Sequence, residues 1–198
     1  MSDRKLTARG RLRRTQLMAE ATQLFAERGF HPTSVAEICT RIEAGKGVFY
    51  WYFSSKEELF LEILRDAQRD LRRRQHADIS EISDPVERIA AGVRTSVLWS
   101  AEHRELFRLF EFAQTDERFA GAMRSGRKVL VADAAEHLAQ AIEAGRIPDA
   151  SPEHLAHAIF GVSSQLTMEF IHHRSEPADD VADVVVAFCL GGIGATLR

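Results

Sequence analysis

The 198-residue sequence predicts an all-α chain of about nine helices: an N-terminal three-helix unit with a helix-turn-helix, then a larger helical body. Three observations predict it. Apolar residues recur three and four positions apart along almost the whole chain, the spacing that lines one face of a helix. Capping signals stand where those stripes begin, as in Ser34 with Glu37, Ser55 with Glu58, Asp84-Pro85 with Glu87, and Ser151-Pro152. No segment alternates apolar and polar residues as a half-buried strand does.

The elements follow in order. Leu17, Ala21, Leu24 and Phe25 form the apolar face of a first helix, which Gly29 ends. The loop His31-Pro32-Thr33-Ser34 leads into a short helix over 35–42, with Val35, Ile38 and Ile42 on one side. Glu43-Ala44-Gly45 turns the chain, and a second short helix covers 46–52. Leu59, Phe60, Ile63, Leu64, Ala67 and Leu71 give the stripe of a long helix starting near 55. Composition shifts over 72–84, RRRQHADISEISD, and helices are expected beyond it over 85–101, 103–114, 118–145, 152–173 and 177–197. The expected organisation is a helix-turn-helix domain with a basic arm at 1–54, a connecting helix at 55–75, and a second domain at 76–198.

Charge is divided unevenly. Residues 1–75 hold 15 Lys and Arg against 10 Asp and Glu, whereas residues 76–198 hold 11 against 19. Arg4, Lys5, Arg9, Arg11, Arg13 and Arg14 all fall within the first fourteen positions. A basic head on an acidic body points to a polyanion at one end only. Two distant cysteines, Cys39 and Cys189, fit a reduced compartment, and the N-terminus has no apolar signal core. The longest apolar run, Val184 to Leu197, is too short for a membrane span of about 20 residues. The expectation is a cytoplasmic protein with no membrane partner.

The run GVFYWYF at 47–53 carries five consecutive aromatic residues, Phe49 to Phe53. A helix advances about 100° per residue, so one face cannot bury all five. The wheel turns Phe49, Tyr52 and Phe53 inward. It turns Gly47, Tyr50 and Trp51 outward, with Lys46 projecting from the first turn. Two short helices, the second showing polar-tipped aromatics and a lysine, fit a helix-turn-helix able to enter a major groove. Lys46, Tyr50 and Lys56 suit phosphates, and Gly47 allows a close approach. An ordinary helical hairpin whose outward rings are covered by another helix is the alternative.

Residues 13–60 resemble the DNA-binding domain of TetR-family (TetR/AcrR) transcriptional regulators, through LFAERGF (24–30), TSVAEI (33–38), GKGVFYWYF (45–53) and SKEEL (55–59). The resemblance implies a homodimer that binds double-stranded palindromic operator DNA, usually as a repressor released by a small-molecule effector. It implies DNA contacts from Arg13, Thr33, Gly45, Lys46, Gly47, Val48, Tyr50, Trp51, Tyr52 and Lys56. It also implies that the helix at 55–75 couples ligand to head, moving the two reading helices off a spacing of about 34–36 Å. One departure stands out. Glu43 occupies a turn position that similar proteins usually fill with glycine.

In the acidic body the resemblance implies a ligand cavity, with Trp99, Phe107, Phe110, Met123, Gln165 and Met168 as its expected lining and His103 at its entrance. The last two helices read as a dimer interface, carried by Phe160, Ser164, Phe188, Gly191, Gly192 and Ala195, since a nearly all-apolar terminal helix must bury against something. The enzyme alternatives find little support. There is no G-x-S-x-G, Walker or G-x-G-x-x-G motif, so no catalytic residue and no cofactor is expected. Glu169-x-x-His172 has a di-iron spacing but lacks a second copy and its further glutamates, so no metal is expected either. A helical binding or adaptor protein without DNA activity is the remaining alternative.

Overall fold

The computed structural model describes residues 7–195; Arg4, Lys5 and Leu197 lie outside them. Nine α-helices occur among the described residues, and no strand. Thr7 caps α1 (Ala8–Arg28), whose buried side is Leu17, Met18, Ala21, Leu24 and Phe25. Gly29 ends it with φ of +88°, a left-handed conformation that glycine adopts without strain.

Ser34 and Glu37 close a reciprocal capping box on α2 (Val35–Arg41), as their spacing predicts. Glu43, in the turn before α3 (Lys46–Tyr52), takes φ of +52°. A side chain with a Cβ thus sits where glycine would be unstrained, at a cost of about 1 kcal/mol. Gly45, at φ of −76°, does not take over that bend.

Ser55 caps α4 (Lys56–Ile79). The helix runs on into the composition shift as far as Ile79, and only residues 80–84 leave it. Asp84 and Pro85 then start α5 (Pro85–Glu102). Next come α6 (Arg104–Thr115), α7 (Glu117–Glu143), α8 (Pro152–Leu166) and α9 (Ala178–Gly192). The helix expected over 152–173 changes its hydrogen bonding part-way, and Thr167–His173 forms a π-helix that continues α8. Such wide turns are uncommon and gather at functional sites.

Two apolar clusters organise the chain. The first joins Phe25, Phe30, Phe49 and Phe53 of the head to Phe60 of α4 and to Leu109, Ala113 and Phe119 of α6 and α7. It crosses residue 54, so the head's core is completed by helices from the body. Phe30 is its hinge: its ring lies 5.0–5.4 Å from those of Phe25, Phe60, Phe112 and Phe119. The second cluster packs α5, α7, α8 and α9 around Val86, Val97, Leu138, Ile171, Ala182 and Val185.

Candidate DNA-reading head and effector cavity

Helix α3 divides its rings as the wheel requires. Phe49 is fully buried and Phe53 nearly so, while Tyr50 and Trp51 are 56% and 55% exposed. Tyr52 is half-buried against the first cluster, with Trp51 edge-on at 4.6 Å. Gly45, Lys46 and Gly47 are exposed and Val48 is half-buried. A Cβ on Gly47 would meet no atom of the chain within 4 Å, so the space before it is open to a partner. The exposed face therefore offers a cation, a bare backbone, a phenol and an indole together.

Three of the expected contact residues are turned to other work. The Lys56 ammonium donates to the carbonyls of Phe30, His31 and Thr33, at 2.8, 3.3 and 2.6 Å. It also lies 4.4 Å from the centre of the Phe30 ring, and burial holds its pKa below the ordinary lysine range. It clips the loop after α1 to the start of α4. Thr33 is 1% exposed and its hydroxyl donates to the Gly29 carbonyl at 2.9 Å, leaving no atom for DNA. Arg13 donates to the Ile42 carbonyl at 3.1 Å, bracing the turn before α3. Periodicity places such side chains on a face but says nothing of a loop 23–29 residues away that folds back over them.

A cavity of about 420 Å³ lies between α4, α5, α6, α7 and α8. Trp99, Phe107, Phe110, Met123, Gln165 and Met168 all lie on its wall; His103 does not. The His103 ring packs behind Trp99, with centroids 4.5 Å apart, and its Nε2 is 3.9 Å from Asp70. Asp70 in turn accepts the Trp99 indole N–H at 2.7 Å, which fixes the indole in the wall.

Sequence reasoning missed the polar part of the lining. His172, from the π-helix, lies 2.8 Å from the Ser100 hydroxyl and stacks on Phe107 at 4.1 Å, 8° from parallel. Burial, and then the Arg104 charge, push its pKa down to about 4, so the ring is neutral near pH 7. Arg88 and His137 line the other end. The available signal was a polar residue in step with apolar ones, as His137 is with Leu130, Ala134 and Ala141.

The C-terminal helices expose an apolar surface. Val184 and Phe188 on α9 are 60% and 61% exposed, and Gly191, Gly192 and, on α8, Ser164 are exposed as well. Two expected interface residues face elsewhere. Phe160 lies in the cavity wall under the Arg127 guanidinium, and Ala195 is buried in its own subunit's core. Glu169 accepts from Arg174 at 2.7 Å while His172 turns to Ser100, so this spacing does not converge on a metal. No helix among the described residues is long and apolar enough to cross a membrane.

Comparison with known proteins matches two family models. Residues 17–63 match the bacterial regulatory proteins of the TetR family, and residues 83–193 match the Tetracyclin repressor-like C-terminal domain. The HTH-type transcriptional activator FasR of Mycolicibacterium smegmatis is 30% identical over 111 residues, 54% of this chain and 42% of that protein. The match thus spans well under half the length of that curated relative. Among solved structures, the fatty acid degradation regulator FadR of Bacillus halodurans superimposes with a TM-score of 0.84 at 19% identity, covering 93% of this chain and 97% of that one. FadR of Bacillus subtilis in complex with stearoyl-CoA gives 0.82 at 19% identity, over 90% and 98%. At that identity the structures establish a shared fold. The two family models together span the head, with its outward aromatics, and the body that holds the cavity, and the chain belongs to the TetR family of bacterial regulatory proteins.

Proposed function

We propose that the chain is a ligand-responsive, operator-binding transcriptional regulator that acts as a homodimer, a repressor released from a palindromic site by a small molecule. The observation that carries it is the outward face of α3, where Lys46, Gly47, Tyr50 and Trp51 stand exposed on a helix whose other side is locked into the core. Lys46 and the Tyr50 hydroxyl suit phosphates, and Gly47 lets the backbone approach. Val48 lies beside them for a thymine methyl or a sugar.

The shared core supports the coupling. Helix α6 contributes Phe107 and Phe110 to the cavity, and Leu109, Phe112 and Ala113 to the cluster around Phe30. A ligand that shifts α6 therefore acts on the head directly as well as through α4. It must bind one arrangement of the two heads better than the other for that shift to release DNA. The apolar wall, and the fatty-acid regulators among the similar structures, support an effector with a long apolar part. The exposed Val184 and Phe188 support a second copy packed on α8 and α9.

The test is selection of bound genomic fragments by the purified chain, run beside Lys46→Ala/Tyr50→Ala. A palindrome enriched by the unaltered chain and lost by the variant is the expected result. No enriched sequence at low salt, where phosphate contacts are strongest, with ligand-stripped protein, contradicts the reading.

A further inference from the structure

Polar groups line the cavity along its length, and two of them, Arg88 and His137, stand out by what they lack. Along α7 the wall runs from Met123 to His137, a rise of about 21 Å at 1.5 Å per residue. At the Met123 end the rings of Trp99, Phe107 and Phe110 give the wall its apolar surface, with Gln68, Glu111, Gln114 and Arg127 also lining it. The other end presents Arg88 of α5, held against Gln140 of α7, and His137 of α7.

Both groups lack a partner that their surroundings call for. Half-buried Arg88 donates to the Ile82 carbonyl at 2.6 Å and to the Gln140 side-chain carbonyl at 3.0 Å, both neutral. Among the described residues no carboxylate reaches ion-pair distance of it. His137 Nδ1 is buried with no hydrogen-bond partner. Burial, and then the Arg88 charge, hold its pKa below the ordinary histidine range, so the ring is neutral. The other charges nearby are engaged or outside. Asp133 takes Nε and Nη2 of Arg72 at 2.7 and 3.2 Å, with His76 3.9 Å away. Asp84 pairs with Arg146, and Glu136 and Glu87 are exposed. A guanidinium without counter-charge beside an orphaned ring nitrogen is costly in a cavity wall, unless an anion supplies both the charge and a hydrogen-bond acceptor.

We propose that Arg88 and His137 form the head-group subsite of the cavity and take the carboxylate of a ligand whose apolar body lies along Trp99, Phe107, Phe110 and Met123. The guanidinium supplies the charge and the imidazole, protonated at Nδ1, supplies one N–H; the two oxygens of a carboxylate accept from both. The assignment rests on the cavity being the effector site, as proposed above. It adds what the ligand must carry at one end.

Calorimetry on the full chain with dodecanoate and with dodecan-1-ol tests it. The acid is expected to bind about tenfold or more tighter than the alcohol, the difference between a charge-assisted and a neutral hydrogen bond. Arg88→Gln and His137→Phe should each abolish that preference while leaving the alcohol's affinity nearly unchanged. Because Arg88 also braces the 80–84 link, His137→Phe is the cleaner variant. Ser100→Ala, twelve residues along α5 from Arg88, should keep the preference. Equal binding of acid and alcohol, or a preference that survives both substitutions, overturns the head-group assignment and leaves the cavity as the effector site. Uptake of neither probe overturns the effector-site reading beneath it as well.

Discussion

Helices α3 and α9 both hold large side chains out in solvent, and the difference between them separates two kinds of partner. On α3 the exposed groups are Tyr50 and Trp51, rings with a hydroxyl and an N–H, beside Lys46. On α9 they are Val184 and Phe188, pure hydrocarbon, beside Gly191 and Gly192. Polar-tipped aromatics with a cation can stay hydrated until they meet phosphates and base edges. Hydrocarbon beside glycines gains only when water is excluded altogether and another helix comes close. The same degree of exposure thus suits a wet polyanion on one helix and a dry protein face on the other.

The widest break in that comparison is expected from Phe188→Arg. A charge forced into a dry interface costs several kcal/mol. Sedimentation should show monomers, and operator affinity should fall more than about a hundredfold as paired half-site binding is lost. Lys46→Ala/Tyr50→Ala should do the reverse, cutting operator affinity by about ten- to a hundredfold with the dimer intact. Lys56→Ala sharpens the contrast within the head. As a clip on three carbonyls, Lys56 should contribute about 1.5 kcal/mol of stability, read by chemical denaturation. The salt dependence of operator binding should stay unchanged, whereas loss of a phosphate contact would lower its slope by about one. The smallest effect belongs to Glu43→Gly, which relieves the left-handed backbone and should stabilise the chain by about 1 kcal/mol.

How far these features were legible depends on how far the controlling interactions reach along the chain. Caps act over three residues, so Ser34, Ser55, Asp84 and Ser151 mark helix starts directly. The inward and outward rings of α3 follow from helical phase alone, as does the apolar stripe of α9. Lys56 and Thr33 do not, because a long-range fold-back sets their direction and a basic or hydroxyl side chain reads the same whether it meets a phosphate or a carbonyl. The subsite at Arg88 and His137 was still less visible. It joins residues from two helices, and what marks it is the absence of partners, which only the packed structure reveals. The π-turn at Thr167–His173, which brings His172 to Ser100, leaves no periodic trace over so few residues.

In the proposed function α3 reads DNA from two copies held together by α8 and α9. Hydroxyl-radical footprinting of the chain on its selected fragment tests this most directly. Two protected patches on one face of the duplex, centred one helical turn of about 34–36 Å or a multiple of it apart, and both lost in Lys46→Ala/Tyr50→Ala, are the expected result. A single patch, or protection that the variant retains, would contradict it.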